Sequence, residues 1–98
     1  MKNMYRQGDI LLTRIDVLPE NLTEIKGDVI VYGTATGHAH KLVDGTIFSD
    51  EKGNLYLTTK KDGKVIHEEH DTIELGKGFW AVKRQREYTP EAIRTVID

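Results

Sequence analysis

Residues 46–63 read TIFSDEKGNLYLTTKKDG. Residues 46–49 and 54–59 have the look of two hairpin arms around Glu51-Lys52-Gly53, and Asp62-Gly63 is a two-residue hairpin signal of its own. Short β-like runs separated by glycine turns set the pattern, and the chain repeats it on both sides. Downstream, residues 64–70, 72–75 and 79–88 continue the series. Upstream lie 38–43, turning at Asp44-Gly45, and 28–32, rich in the β-branched residues that suit a pleated strand. Between them, 33–37 place two glycines around small residues, the composition of a bend or bulge.

The first run is 9–18, closed by Pro19, with Leu11, Ile15 and Val17 on one side. Ile10-Leu11-Leu12 is apolar on both faces, which predicts a central, covered strand. Residues 20–27 are polar and read as a connecting loop. In the tail, Thr89-Pro90 can cap a short helix, but Ile93 and Val96 are few anchors, so an extended tail is the preferred reading. About eight short antiparallel strands predict an all-β domain, a small barrel or a sandwich, spanning residues 1–98 as one unit.

Composition narrows the chemistry. Fourteen Lys and Arg against sixteen Asp and Glu give a formal charge of −2, so no global field draws the chain to DNA or to an anionic membrane. There is no cysteine; any metal must be held by imidazole and oxygen. The apolar stretch 10–12 lies between Asp9 and Arg14, far too short for an export signal or a membrane span, and the expected compartment is the cytoplasm. A core built from 98 residues is modest, and a bound metal or a homo-oligomer would add stability.

All four histidines fall into two tight clusters, His38-Ala39-His40 and His67-Glu68-Glu69-His70. Side chains at i and i+2 of a strand share a face, so His38 and His40 project towards one point, as a metal requires. The bland alternative is a pair of surface histidines after a loop. His67 and His70 are three apart and would face opposite sides of a regular strand, unless a bulge or strand end turns both inward. His70, next to the turn-like Asp71-Thr72, is the favoured third ligand, with His67 as the alternative. Glu68 and Glu69 can orient an imidazole, supply an oxygen ligand or act as general base, or form a solvated acidic turn. Three imidazoles suit Zn²⁺ and also Fe²⁺, Mn²⁺, Co²⁺ or Ni²⁺.

In 79–88, alternation puts Trp80, Val82, Arg84, Arg86 and Tyr88 on one face. Arginines among aromatics are also found on platforms for single-stranded nucleic acid. A buried apolar start with a charged end leaving the sheet is the stronger reading. Gln85, Glu87 and Tyr88 are candidates for supporting the metal site.

Four blocks carry a resemblance: Tyr5-Arg6-Gln7-Gly8-Asp9, Thr36-Gly37-His38-Ala39-His40, His67-Glu68-Glu69-His70 and Arg84-Gln85-Arg86-Glu87-Tyr88. The chain resembles a group of small bacterial and phage proteins with these blocks in the same order, a resemblance that implies no catalytic residues. By site alone, His38 and His40 are similar to the His-x-His zinc ligands of α-class carbonic anhydrases. They also resemble a cupin pair, although the cupin motif with its ligating Glu is not matched.

The leading expectation is a metal-dependent enzyme acting on a small molecule through a metal-bound water, with CO₂ hydration the specific reaction. His38, His40 and His70 would hold the ion, and Glu69, Gln85 or Tyr88 would position the water. The alternatives are a non-catalytic metal-stabilised or phage-structural module with a closed site, and, third, a nucleic-acid-binding barrel.

Overall fold

Alternation between buried and open positions generates strands along most of the chain. The computed structural model describes residues 3–32, 38–84, 86–88 and 93–95, the last two segments as strand paths alone. The expected bend at 33–37, the Thr89-Pro90 cap and Gln85 lie outside the described residues. The strands are β1 (Met4–Gln7), β2 (Ile10–Ile15), β3 (Thr23–Ile25), β4 (Val29–Tyr32), β5 (Ala39–Ser49), β6 (Leu55–Ile66), β7 (Ile73–Glu74), β8 (Gly78–Arg84), β9 (Arg86–Tyr88) and β10 (Ile93–Thr95). No helix of the described residues is long and apolar enough to cross a membrane.

Eight strands make one antiparallel sheet in the order β1-β2-β8-β6-β5-β3, with β4 also on β5 and β7 also on β6. β9 and β10 pair with each other. β1 and β3 end the order without meeting, so the all-β architecture is an open, folded sheet and not a closed barrel.

The fold in the sheet comes from a break in its two longest strands. Residues 41–43 of β5 pair with 64–66 of β6, and 45–49 pair with 55–59. Only Asp44 separates the two blocks on β5, with φ of 54°, whereas residues 60–63 intervene on β6. Asp44-Gly45 is therefore a bulge within a continuous strand and not a turn, and Asp62-Gly63 is no hairpin. Gly63 is pulled inward instead: its carbonyl accepts from the N–H groups of Leu75 and Gly76. A Cβ there would meet Thr59 Cβ at 2.5 Å, so only glycine fits the close approach.

Two further readings are corrected. The two-residue hairpin is at Gly8-Asp9, where Gln7 pairs with Ile10 and β1 precedes the expected first strand. In β2 the fully buried face is Ile10 and Leu12, while Val17 is 72% exposed beyond the strand end. The polar segment 20–27 holds the short strand β3, which pairs with the end of β5.

The core gathers Ile10, Leu12, Ile47, Leu57, Val65 and Val82 around the fully buried Trp80. Its indole N–H donates to Thr59 Oγ1, and Arg14 lies 4.4 Å above the ring. The indole thus has a hydrogen-bond partner within an apolar setting, and its burial removes it from any exposed stacking face.

Candidate metal centre

The four histidines converge where the folded sheet closes on itself. β6 ends at Ile66, so residues 67–70 escape strand parity and both His67 and His70 turn inward, the strand-end outcome of the two considered. His38 immediately precedes β5 and His40 lies within it. The His67 ring occupies the middle, with its centroid 5.7 Å from His38, 4.4 Å from His40 and 4.5 Å from His70. His40 is fully buried, whereas the His38 side chain is 33% exposed, so the centre runs from the interior to the surface.

Hydrogen bonds sort the rings. Gln7 Nε2 donates to the carbonyls of Val65 (3.1 Å) and Asp71 (2.8 Å), which fixes its Oε1 as an acceptor. His40 Nδ1, 2.8 Å from that oxygen, must therefore carry a proton, and its Nε2 turns to the centre. His38 Nδ1 donates in the same way to Glu69 Oε1 at 2.7 Å. Both rings have the tautomer of a metal-ligating histidine, whose second nitrogen is held by a carboxylate or amide oxygen. His70 Nε2 is buried without a hydrogen-bond partner among the described residues.

His67 has the opposite polarity. Its Nδ1 accepts from the Glu69 N–H at 3.0 Å, so the neutral ring carries its proton on Nε2. Among the described residues, the donors whose ligand atoms lie within 4.8 Å of one another are His38, His67 and Glu68, so proximity favours His67, the alternative third ligand, and leaves His40 and His70 outside the group. Ligation by His67 would cost it the Glu69 bond.

Residues 6–85 match the family described as Domain of unknown function (DUF8820). The chain belongs to that family. No curated protein and no solved structure matches it. The DUF8820 match takes in all four histidines, Gln7, Asp9, Glu68, Glu69 and Arg84, and stops short of Tyr88.

The floor of this DUF8820 centre is the β1–β2 turn. Gly8 has φ of 57°, the glycine-first pattern of a type II′ turn. A Cβ there would stand 2.8 Å from His70 Nε2 and 3.3 Å from His40 Cε1. Asp9 is buried, with Oδ1 3.3 Å from His40 Nε2 and Oδ2 accepting from Arg84 Nε at 2.7 Å. Arg84 also donates to the Tyr32 carbonyl.

On the outer side, a cavity of about 280 Å³ is lined by Ala39, Lys41, Ile66, His67 and Glu68. The Glu68 carboxyl is held below its ordinary range, first by its own backbone N–H, then by the Ala39 N–H and the His38 and His67 imidazoles, against a desolvation that pushes it up. Among the expected water-positioning groups, Glu69 orients His38; Gln85 and the Tyr88 side chain lie outside the described residues. Gln7, Gly8, Asp9 and Arg84 were not singled out individually by the sequence reading. The signal for three of them was Gly8-Asp9, a glycine-first hairpin pair.

Proposed function

We propose that this chain is a divalent-metal enzyme for a very small electrophile, with CO₂ hydration the specific reaction and the cytoplasm its compartment. His38, His40 and His70 hold the ion through Nε2, and zinc leads the ions that suit imidazole. The observation that carries the reading is the shared polarity of His38 and His40, each donating Nδ1–H to a side-chain oxygen and leaving Nε2 for an ion. A three-imidazole zinc site supplies a water that ionises near neutral pH. Glu69 and Gln7 keep the rings aimed. Glu68 is kept ionised at the cavity wall, where its charge favours a cation beside His38 and His67. The size of the cavity favours a small molecule over a polymer.

Elemental analysis should find about one equivalent of transition metal per chain. Stopped-flow CO₂ hydration beside an activated-ester assay then tests turnover: activity should rise with pH, vanish with a chelator and be lost in His38→Ala. Metal-loaded protein that matches buffer in both assays, with no exchangeable ligand position, would make the centre structural. Protein that takes up no metal would remove the reading.

A further inference from the structure

We infer that the end of the sheet opposite the histidines carries a binding site for a small aromatic carboxylate, anchored by Arg14. The site does not depend on the metal-centre reading. The β2–β8 ladder runs from the Ile10–Arg84 pair, beside that centre, to the Ile15–Phe79 pair at the far end. A cavity of about 400 Å³ opens there, with Arg14, Ile15, Asp16, Lys77 and Phe79 in its lining.

The fold fixes the Arg14 guanidinium without compensating its charge. The group lies 4.4 Å above the Trp80 ring, and Nη1 donates to the Lys77 carbonyl at 3.2 Å. Gly78 makes the room for it, because a Cβ there would stand 2.4 Å from Nη1. Nε is buried with no acceptor among the described residues. The end-on edge, formed by Nη2 and the second N–H of Nη1, has no acceptor among them either. Arginine is seldom withdrawn from water without a partner. Lys77 adds a second positive charge to the rim, and Asp16, exposed on the same rim, pairs with neither cation among the described residues.

A guanidinium edge held ready with two parallel N–H groups takes a carboxylate fork to fork. The rest of the lining selects the class. Phe79 is 37% exposed, and Ile15 beside it is half-buried, so the two offer apolar surface against which a ring packs. The Thr59 hydroxyl, also at the cavity, is already engaged by the Gly76 carbonyl and the Trp80 indole N–H and makes no competing demand on an anion. A few charges converging on an apolar wall are the pattern of a small-molecule site, and the volume suits a one-ring ligand better than a polymer.

Benzoate is the probe, titrated into the chain as purified. Trp80 is the single tryptophan, so its fluorescence reports on this pocket, and amide NMR shifts locate the ligand. Benzoate should saturate with a Kd of about 1 mM or tighter, moving the amides of residues 14–16 and 77–79. Acetate keeps the charge and benzyl alcohol keeps the ring; each should bind at least about tenfold more weakly. Arg14→Gln should weaken benzoate by about tenfold or more, and Lys77→Gln, at an exposed side chain, by about two- to fivefold. The three-ligand comparison uses the unaltered chain, so it does not depend on either variant folding. No saturation, or acetate or benzyl alcohol binding as tightly as benzoate, overturns the assignment. So do shifts at residues 38–41 and 67–70 without shifts at 14–16 and 77–79. Unchanged benzoate affinity in a folded Arg14→Gln overturns Arg14 as the anchor.

Discussion

A side chain at position 8 has no room. Gly8 combines a φ of 57° with a virtual Cβ only 2.8 Å from His70 Nε2, whereas Gly27, at φ of 105°, has nothing within 4 Å of its virtual Cβ. A positive φ strains alanine at either position. Both Gly8→Ala and Gly27→Ala should therefore lower the denaturation midpoint, but only Gly8→Ala should also weaken metal uptake, because it alone pushes on His70. Equal metal affinity in the two variants would mean that the β1–β2 turn is not the floor of the site. The same scale decides between the two histidines of the second cluster. His70→Ala removes a buried Nε2 with no other partner, while His67→Ala removes a ring whose Nδ1 is already engaged by the Glu69 N–H. Isothermal titration with Zn²⁺ should show the larger loss in His70→Ala. The reverse order would show that the Glu69 bond breaks on loading and that His67 ligates.

The β5–β6 hairpin is tied by one carboxylate. Asp50 Oδ1 accepts from the Lys52 and Asn54 N–H groups, and Oδ2 accepts from the Asn54 side-chain amide, each at 2.9 Å. The Asn54 amide first, then the two backbone N–H groups, hold its carboxyl below the ordinary 3.8. A folded-state pKa below the unfolded value stabilises the turn above the unfolded pKa, and the gain is lost as pH falls through the folded one. Protection of the Lys52 and Asn54 amides, corrected for intrinsic exchange, should fall as the pH drops below about 4. Asp50→Asn should abolish that dependence; protection that still falls with acid in the variant would place its cause elsewhere. This hairpin was legible because its arms and turn lie within 18 residues of sequence. The sheet break was not. Asp62-Gly63 has the composition of a turn, but the strand runs through it because Gly63 packs on Thr59 and its carbonyl is taken by the distant Leu75 and Gly76. At the site, clustering identified the histidines, and their ligand ranking needed partners remote in sequence. His38 stands just before β5 and His40 within it, and both rings border His67, whereas parity did not govern His67 and His70, which lie past the strand end. Gln7 and Asp9 are 33 and 31 residues from His40, and no local pattern joins them.

The candidate histidines come from the start of β5 and the segment after β6, whose ends pair with each other, and the β1–β2 turn packs against them from a separate part of the sheet. Gln7 reaching Val65 and Asp71, and Asp9 reaching His40, are links across this closure. The opposite arrangement holds around Trp80, where β2, β8 and β6 are joined by continuous ladders and a dry core. Metal should therefore act unevenly across the molecule. At a hundredfold excess over Kd, a ligand specific for the folded state adds about 2.7 kcal/mol, which for a chain of this length raises Tm by roughly 10–20 °C. Zn²⁺ should produce a rise of that order, reversed by chelator and absent in His40→Ala. In hydrogen exchange below the global unfolding limit, added protection should concentrate at residues 7–9, 39–41 and 66–71, and residues 10–15 and 79–82 should change little. A uniform gain across both regions would show that the ion acts only through global stability. A local gain confined to the histidine end would show that this end opens separately when no ion holds it, because sub-global opening carries its own free energy.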